Sequence, residues 1–288
     1  MLKNKVRSFL SILLSIIPHF KGKGRVTLFF DRILTDYTDP HSYNVVGSIN
    51  GGYKILLDMR SFKSRFCYYY RECEYNDINM IKQLYDGGIF LDVGSCIGLY
   101  VICMSDLVNN SNGSIIAVEP VPLNIERLES NIRLNKIESL VSIVPYALGS
   151  EDGIVRMSTD ETIANNALIS EQGNLSVKIK RLDDLALNEN WGRVSFIKVD
   201  IEGFEPKFVE GAQLTIERDR PVIFGEFNTY RMNINGFSMD STWNFLVNKL
   251  QYNCYFLSNN KLQKLEAPEN MENLYFIPNE MILSKNIK

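Results

Sequence analysis

The segment Ile89-Phe90-Leu91-Asp92-Val93-Gly94-Ser95-Cys96-Ile97-Gly98 constrains this chain more than any other. A short apolar strand pattern runs into an acid and a glycine-bracketed turn, and a helical pattern over 98–108 follows. The same strand-to-helix unit recurs. A strand at 115–119 precedes a helix opened by Pro122, with Ile125, Leu128 and Ile132 on its buried face. A third strand is read at 141–146, a fourth at 194–200 and a fifth at 221–227. Between the last two, Pro206 starts a helix whose Val209, Ala212 and Ile216 share one face. Trp243, Leu246, Val247 and Leu250 fall at i, i+3, i+4 and i+7, which predicts another helix. Alternation of this kind predicts βαβ units and a mostly parallel sheet.

The flanks follow other patterns. Asn50-Gly51-Gly52 splits 43–59 into a hairpin. Asn76 is read as the cap of a helix carrying Ile78, Ile81 and Tyr85, ended by Gly87 and Gly88. Residues 147–193 interrupt the parallel pattern with strands around 154–157 and 175–182, separated by a polar stretch at 159–174. Late strands at 252–257 and 273–277 have too little chain between them for a crossover helix and are expected to pair antiparallel.

Composition narrows the function classes. With 45% hydrophobic and 23% charged residues over 288 positions, the chain can bury a sizeable core. Basic and acidic residues number 31 and 34, which leaves no electrostatic footprint for nucleic acid. The five cysteines are odd in number and none are spaced as CxxC, so reduced thiols in a cytoplasmic setting are expected. The histidines, His19 and His41, lie far from every motif, which argues against a Ser-His-Asp or Cys-His machine. At the N-terminus, Lys3, Lys5 and Arg7 precede an apolar run at 9–17, and no small-residue cleavage pattern follows. The preferred reading is a helix that caps the domain and stops at Pro18. Residues 1–25, with Lys21, Lys23 and Arg25, also suit a weak peripheral contact with a membrane.

The acids carry the chemistry. The spacing G-x-x-x-G is not that of dinucleotide sites, and a carboxylate at Asp92 would repel a pyrophosphate. It suits a cationic ligand, and S-adenosylmethionine meets that requirement. Glu119, ending the next strand 21 residues beyond Gly98, suits the ribose hydroxyls. The string Phe196-Ile197-Lys198-Val199-Asp200-Ile201-Glu202-Gly203-Phe204-Glu205 ends a strand in acids around a glycine. Asp200 and Glu202 would face the crevice of Asp92 if the two strands are neighbours, while Glu205 is read as a helix cap. Lys198 shares a face with Asp200 and is costly there unless paired. Glu226 and Asn228 end the following strand at the same rim. Asp200, Glu202, Glu226 and Asn228 are oxygen donors that Mg²⁺ accepts, but nothing in their spacing requires a metal, and the metal-free reading is preferred.

These residues resemble the FkbM family of S-adenosylmethionine-dependent methyltransferases. The matching pieces are LDVGSCIGLY at 91–100, AVEPVPLN at 117–124, YALGSEDG at 146–153, RLDDL at 181–185 and FIKVDIEGFEPKFVEGA at 196–212. The resemblance implies an α/β class I methyltransferase fold: a seven-stranded, mostly parallel, Rossmann-like sheet, helices on both faces, and an antiparallel last strand. An N-terminal helix and hairpin extension would occupy 1–70 and the methyltransferase domain 71–288, with 147–193 a β-insertion and candidate acceptor lid. It implies O-methylation of a hydroxyl on a sugar, glycan or metabolite. Asp92, Gly94, Ser95, Gly98, Glu119, Pro120, Tyr146, Ala147 and Asp200 would hold the cofactor, with Tyr146 standing where relatives often carry a small or amide residue. Asp200 is the first choice as general base, Glu226 the second, and Lys198 an electrostatic helper. Glu202, Asn228, Tyr230, Arg231, Asn165 and Asn166 are expected at the acceptor, with Ser170 nearby. The alternatives are a nicotinamide-dependent oxidoreductase and a non-catalytic binding module on the same fold. Oligomeric state has no signature in the sequence.

Overall fold

The computed structural model describes residues 2–17, 23–160, 163, 167–268 and 273–285. The chain opens with helices α1 (Leu2–Ile16), α2 (Lys23–Leu34) and α3 (Pro40–Tyr43), then the antiparallel hairpin β1 (Asn44–Ile49) and β2 (Tyr53–Asp58). Helices α4 (Phe62–Tyr70) and α5 (Tyr75–Leu84) lead into β3 (Ile89–Val93), α6 (Leu99–Asn110), β4 (Ser114–Val118), α7 (Pro122–Asn135) and β5 (Val141–Val144). A second, four-stranded sheet holds β6 (Ala147–Leu148), β7 (Gly153–Ser158), β8 (Leu168–Ile169) and β9 (Leu175–Lys180). The main sheet resumes after α8 (Leu182–Asn188) with β10 (Val194–Val199), then α9 (Glu205–Glu210), α10 (Gln213–Asp219) and β11 (Val222–Glu226). Last come α11 (Thr229–Ile234), α12 (Asp240–Trp243) running into a π-helical turn at Asn244–Lys249, β12 (Tyr252–Ser258), β13 (Lys261–Leu265), β14 (Asn273–Pro278) and α13 (Asn279–Lys285).

The main sheet has eight strands in the order β13-β12-β14-β11-β10-β3-β4-β5. From β11 to β5 neighbouring strands are parallel, and β14 is antiparallel to both β11 and β12. This is the class I methyltransferase architecture, with one strand more than expected. The extra strand is β13, which pairs with β12 across a turn in which Asn259 and Asn260 both have positive φ. Asparagine tolerates that conformation, so the Asn-Asn pair is a two-residue hairpin signal overlooked in the sequence. The late strands do pair antiparallel, as expected.

Side-chain alternation divides the core into two layers. Phe90, Ile115, Phe196 and Phe224 point into one, with α5, α6 and the hairpin side. Leu91, Ile116, Ile197 and Ile223 point into the other, against α8, α9, α10 and the Trp243 region. Strands β3 and β10 are buried along their whole length because helices cover both faces.

Three local expectations change. Asn76 does not cap α5; Glu74 occupies that position in the left-handed region, with Asn76 inside the helix. The helix expected after Pro206 is two, α9 and α10, parted at Gly211, where a Cβ would meet the Gly149 carbonyl oxygen. Cys67 and Cys73 are disulfide-bonded, which corrects the expectation of reduced thiols. Arg71, in the left-handed region, ends α4 and turns the chain back so that their Cα atoms lie 5.0 Å apart. Absence of CxxC spacing does not forbid such a local staple, so the argument from thiols to compartment loses its footing. No helix among the described residues is long and apolar enough to cross a membrane.

Ile197 is fully buried between β3 and β11. Ile197→Ala is expected to cost about 2–5 kcal/mol of stability. The exposed Leu187→Ala on α8 is expected to stay within about 0.5 kcal/mol. Urea denaturation of the two variants measures both.

Candidate active site

The carboxyl ends of β3, β4 and β10 open onto a cleft of about 320 Å³. Its floor is set by register. Lys198 on β10 lies directly across from Asp92 on β3, both on the face shared with Phe90 and Phe196. The Lys198 ammonium lies 3.2 Å from Asp92 Oδ1 and 3.9 Å from Asp200 Oδ2. It donates to the Gly94 carbonyl at 2.9 Å and sits 5.2 Å from the centroid of the Tyr100 ring. Burial works against the charge, but Asp92, Asp200 and Glu74 outweigh it and hold the ammonium protonated above the usual lysine range.

Gly94 makes the floor possible. Its φ is +76°, and a Cβ there would lie 2.1 Å from the Asp200 carbonyl oxygen. Only glycine lets the β3 and β10 turns approach this closely. Ser95 Oγ donates back to the Asp92 carbonyl at 2.7 Å and closes the turn.

Glu119 leaves the tip of β4 as a buried acceptor. Oε1 receives the Val121 amide at 2.9 Å and the Asn124 side chain at 3.1 Å; Oε2 receives the Cys96 amide at 2.8 Å. Burial pushes its carboxyl up to about 6 against these donors. A carboxylate oxygen accepts two hydrogen bonds, so Oε2 retains capacity for a ligand hydroxyl.

Gly94, Ser95, Glu119, Pro120, Tyr146, Ala147, Lys198, Asp200 and Glu202 line the cleft together. Asp92 lies beneath the surface, fully buried behind Lys198, and Gly98 serves as the N-cap of α6. The other rim residues are elsewhere. Glu226 ends β11 opposite Asn273, and Asn228 spends its side-chain oxygen on the Arg231 amide as the N-cap of α11. Tyr230 is exposed, and Arg231 is tied to Glu202 at 2.5 Å. None of these four is in the cleft wall. Of the oxygen set weighed for Mg²⁺, Asp200 and Glu202 line the cleft and Glu226 and Asn228 do not. Asn165 and Asn166 lie outside the described residues. The base of their loop is pinned by reciprocal bonds between Thr159 and Asn174, and Met157, Ala167 and Ile169 supply an apolar wall.

The structure adds residues that sequence reasoning missed. Lys63 and Ser61 of the N-terminal region, Glu74 and Tyr100 all line the cleft. Lys63 pairs with Glu74, and the Tyr100 hydroxyl donates to the same carboxylate. Burial disfavours the Glu74 charge, but Lys63 and Tyr100 hold its carboxyl below the usual range. No motif surrounds Lys63 or Glu74; only folding of α4 across the strand tips brings them in. Glu205 is not a surface cap. It is fully buried, and its Oε1 receives the Ile201 and Gly203 amides at 2.9 and 3.3 Å, clasping the turn after Asp200.

The cleft wall thus carries two cations, Lys63 and Lys198, and four carboxylates, Glu74, Glu119, Asp200 and Glu202, with Asp92 buried behind Lys198. Asp92 Oδ2 and Asp200 Oδ1 are buried and receive no hydrogen bond among the described residues. The excess of carboxylates over cations in the wall fits a small cationic ligand and would oppose a phosphate.

Removing the ammonium strands its partners. Lys198→Met is expected to cost about 3–5 kcal/mol, and Lys198→Met with Asp92→Leu to recover most of it; denaturant midpoints decide. Burial pushes the Glu205 carboxyl up to about 7 from its ordinary 4.5. The folded chain then keeps a proton that the unfolded chain has released, so stability falls as pH rises between those values and levels off above. The slope attributable to one such group is at most about 1.4 kcal/mol per pH unit. Glu205→Gln is expected to flatten it, read from unfolding free energies across that pH range.

Residues 92–254 match the family described as the methyltransferase FkbM domain. The hexuronic acid methyltransferase AglP of Haloferax volcanii is 26% identical over 133 residues, covering 46% of this chain and 53% of that protein. Methyltransferase 1 of Beauveria bassiana is 26% identical over 149 residues, covering 44% of this chain and 59% of that protein. The chain thus spans little more than half the length of these curated relatives. The solved structure of methyltransferase FkbM from Methylobacillus flagellatus KT is 15% identical and covers 95% of this chain and 58% of that one, with a TM-score of 0.48. With more than half of its length matched by the family, the chain belongs to the FkbM methyltransferases.

Proposed function

We propose that this protein is an S-adenosylmethionine-dependent O-methyltransferase acting on a hydroxyl of a sugar, glycan or related small molecule. The observation that carries this reading is the acid-rich cleft at the strand tips, where Asp200 and Glu119 stand on either side of the Gly94 turn. The relative named for hexuronic acid supports a carbohydrate acceptor.

The residues present fit the cofactor. Gly94 and Ser95 offer a turn without bulk, Glu119 suits the ribose hydroxyls, and Tyr146 with Ala147 suits the adenine. Asp200 and the net negative floor suit the charged methionine end. When bound, S-adenosylmethionine supplies an electrophilic methyl group. The chain's own task is to orient the acceptor hydroxyl and take its proton, and orientation is worth up to about 7–11 kcal/mol in well-aligned model reactions.

Asp200 is the best-placed base. It is partly exposed on the cleft wall. Lys198 is held protonated and cannot accept the proton; it anchors Asp200 and neutralises Asp92. Glu226, outside the wall, ranks below Asp200. Ser61, Lys63 and Cys67 within 1–70 and Met157, Ala167 and Ile169 within 147–193 also line the cleft, which suits their reading as an extension and a candidate acceptor lid.

Incubation with labelled S-adenosylmethionine and a panel of sugars, glycolipids and oligosaccharides tests the reaction, with one methyl gained on an acceptor as the expected result. Asp200→Asn is expected to lower kcat by about 10²–10⁴ while calorimetry shows cofactor affinity little changed. Equal losses in both would place Asp200 in the binding wall. Calorimetric binding of a nicotinamide cofactor in place of S-adenosylmethionine would overturn the reading.

A further inference from the structure

Helices α1 and α2 are built inside out. A helix on the surface of a water-soluble domain turns its apolar stripe inward and its charges outward. Here the buried positions of α1 include Arg7 and Ser11, and those of α2 include Thr27 and Asp31, with Thr35 just beyond. The exposed positions include Phe9 (65% exposed), Leu13 and Ile16 (74%) on α1, and Val26, Phe29 (62%) and Ile33 (57%) on α2.

The inversion is held by a polar network. Arg7 Nη2 donates to Thr35 Oγ1 at 2.8 Å, and Nη1 donates to the Ser42 carbonyl at 3.1 Å. Thr35 donates in turn to Asp31 at 2.9 Å. Asp31 also receives the hydroxyls of Tyr69 and Tyr37, at 3.0 and 2.7 Å. Ser11 Oγ donates to the Tyr68 carbonyl on α4 at 2.7 Å. Rolling either helix to bury its phenylalanine would break these bonds and strand a guanidinium or a carboxylate. The network thus fixes two neighbouring helices with their large apolar side chains facing out. Large apolar side chains exposed on two helices in contact point to an interaction surface.

Charge identifies the partner. Residues 1–34 contain seven basic residues, of which Arg7 is buried, and one acid, Asp31, which is also buried, although the whole chain is net −3. The remainder is therefore acidic, and the molecule has one basic, apolar end. Arg25 and Arg32 are exposed beside Phe29 and Ile33 on α2. At 15 residues α1 is shorter than the about 20 a bilayer span needs. Aromatic and aliphatic side chains interleaved with cations on a short helix suit the interfacial plane of a bilayer.

We propose that α1 and α2 dock this protein on the surface of an anionic phospholipid membrane, with Phe9, Ile16, Phe29 and Ile33 entering the headgroup boundary and Arg25 and Arg32 meeting lipid phosphates. Helix α4 packs against both docking helices and also lines the cleft, so the bound membrane lies on the side of the molecule formed by that wall. The proposal does not depend on the chemistry performed in the cleft.

Flotation of the full chain with vesicles tests it. The chain is expected to float with phosphatidylcholine–phosphatidylglycerol vesicles, far less with phosphatidylcholine alone, and progressively less as salt is raised. Phe9→Ser with Phe29→Ser is expected to weaken anionic-vesicle binding about tenfold or more, since each loses a buried ring, with an unchanged melting midpoint. Arg25→Glu with Arg32→Glu is expected to weaken it as well, whereas Leu187→Ser, an exposed leucine on α8, leaves it intact. Wild-type chain that ignores anionic vesicles overturns the proposal, as does a phenylalanine double variant that binds as well as wild type. A wild-type dimer that the same double variant converts to monomer, with no vesicle binding by either, would make the face a contact between copies and equally overturn it.

Discussion

A single buried ammonium organises the cleft end of this molecule. Lys198 projects from the middle of a parallel sheet, where an unpaired charge would cost several kcal/mol. It is tolerable because β10 lies beside β3 in a register that sets Asp92 opposite it, and because the β3 turn offers the Gly94 carbonyl. Each of these partners belongs to a different part of the chain from Lys198. The contact between the two strand ends is therefore also the contact that builds the cleft floor, and neither turn can move without exposing a charge.

The walls follow from the same economy of buried polar groups. Glu119 and Glu205 are acids fully or nearly removed from water, and each is kept there by backbone amides of the turn it stabilises. Glu202 is held by Arg231 and Glu74 by Lys63. Asp200 stays partly exposed on the cleft wall, and its Oδ1 receives no hydrogen bond among the described residues. An acid that the fold supports without consuming is the group a substrate can use. At the far end, the Arg7–Thr35–Asp31 network uses the same physics to the opposite effect, spending the interior on polar contacts and leaving apolar side chains outside.

Local patterns revealed much of this. The glycine turn at 94–98, the acids at Asp92, Glu119 and Asp200, and the Pro122 helix start were legible because each depends on a few consecutive residues. The antiparallel pairing of the last strands was legible because too little chain lies between them for a crossover. Strand β13 was missed because Asn259-Asn260 is a less common hairpin signal than Asn-Gly. The break at Gly211 was missed because the close approach that requires a glycine there is to the Gly149 carbonyl, sixty-odd residues away in the chain. Asn228, Tyr230 and Arg231 follow a strand end as Asp200 does, but Asn228 caps α11, Tyr230 faces out and Arg231 is tied to Glu202, and neither they nor Glu226 are in the cleft wall.

The amino-acid order by itself determined the α/β architecture, the position of the glycine turn and which acids end the parallel strands, because strand period, helix period and turn chemistry are properties of neighbouring residues. Only the tertiary structure decided which acids share a cleft, that Lys198 neutralises Asp92, that Lys63 and Glu74 complete the wall, and that α1 and α2 face their phenylalanines outward. Those outcomes depend on strand register and on which distant groups can satisfy a buried charge, and neither is encoded in any short stretch of the chain.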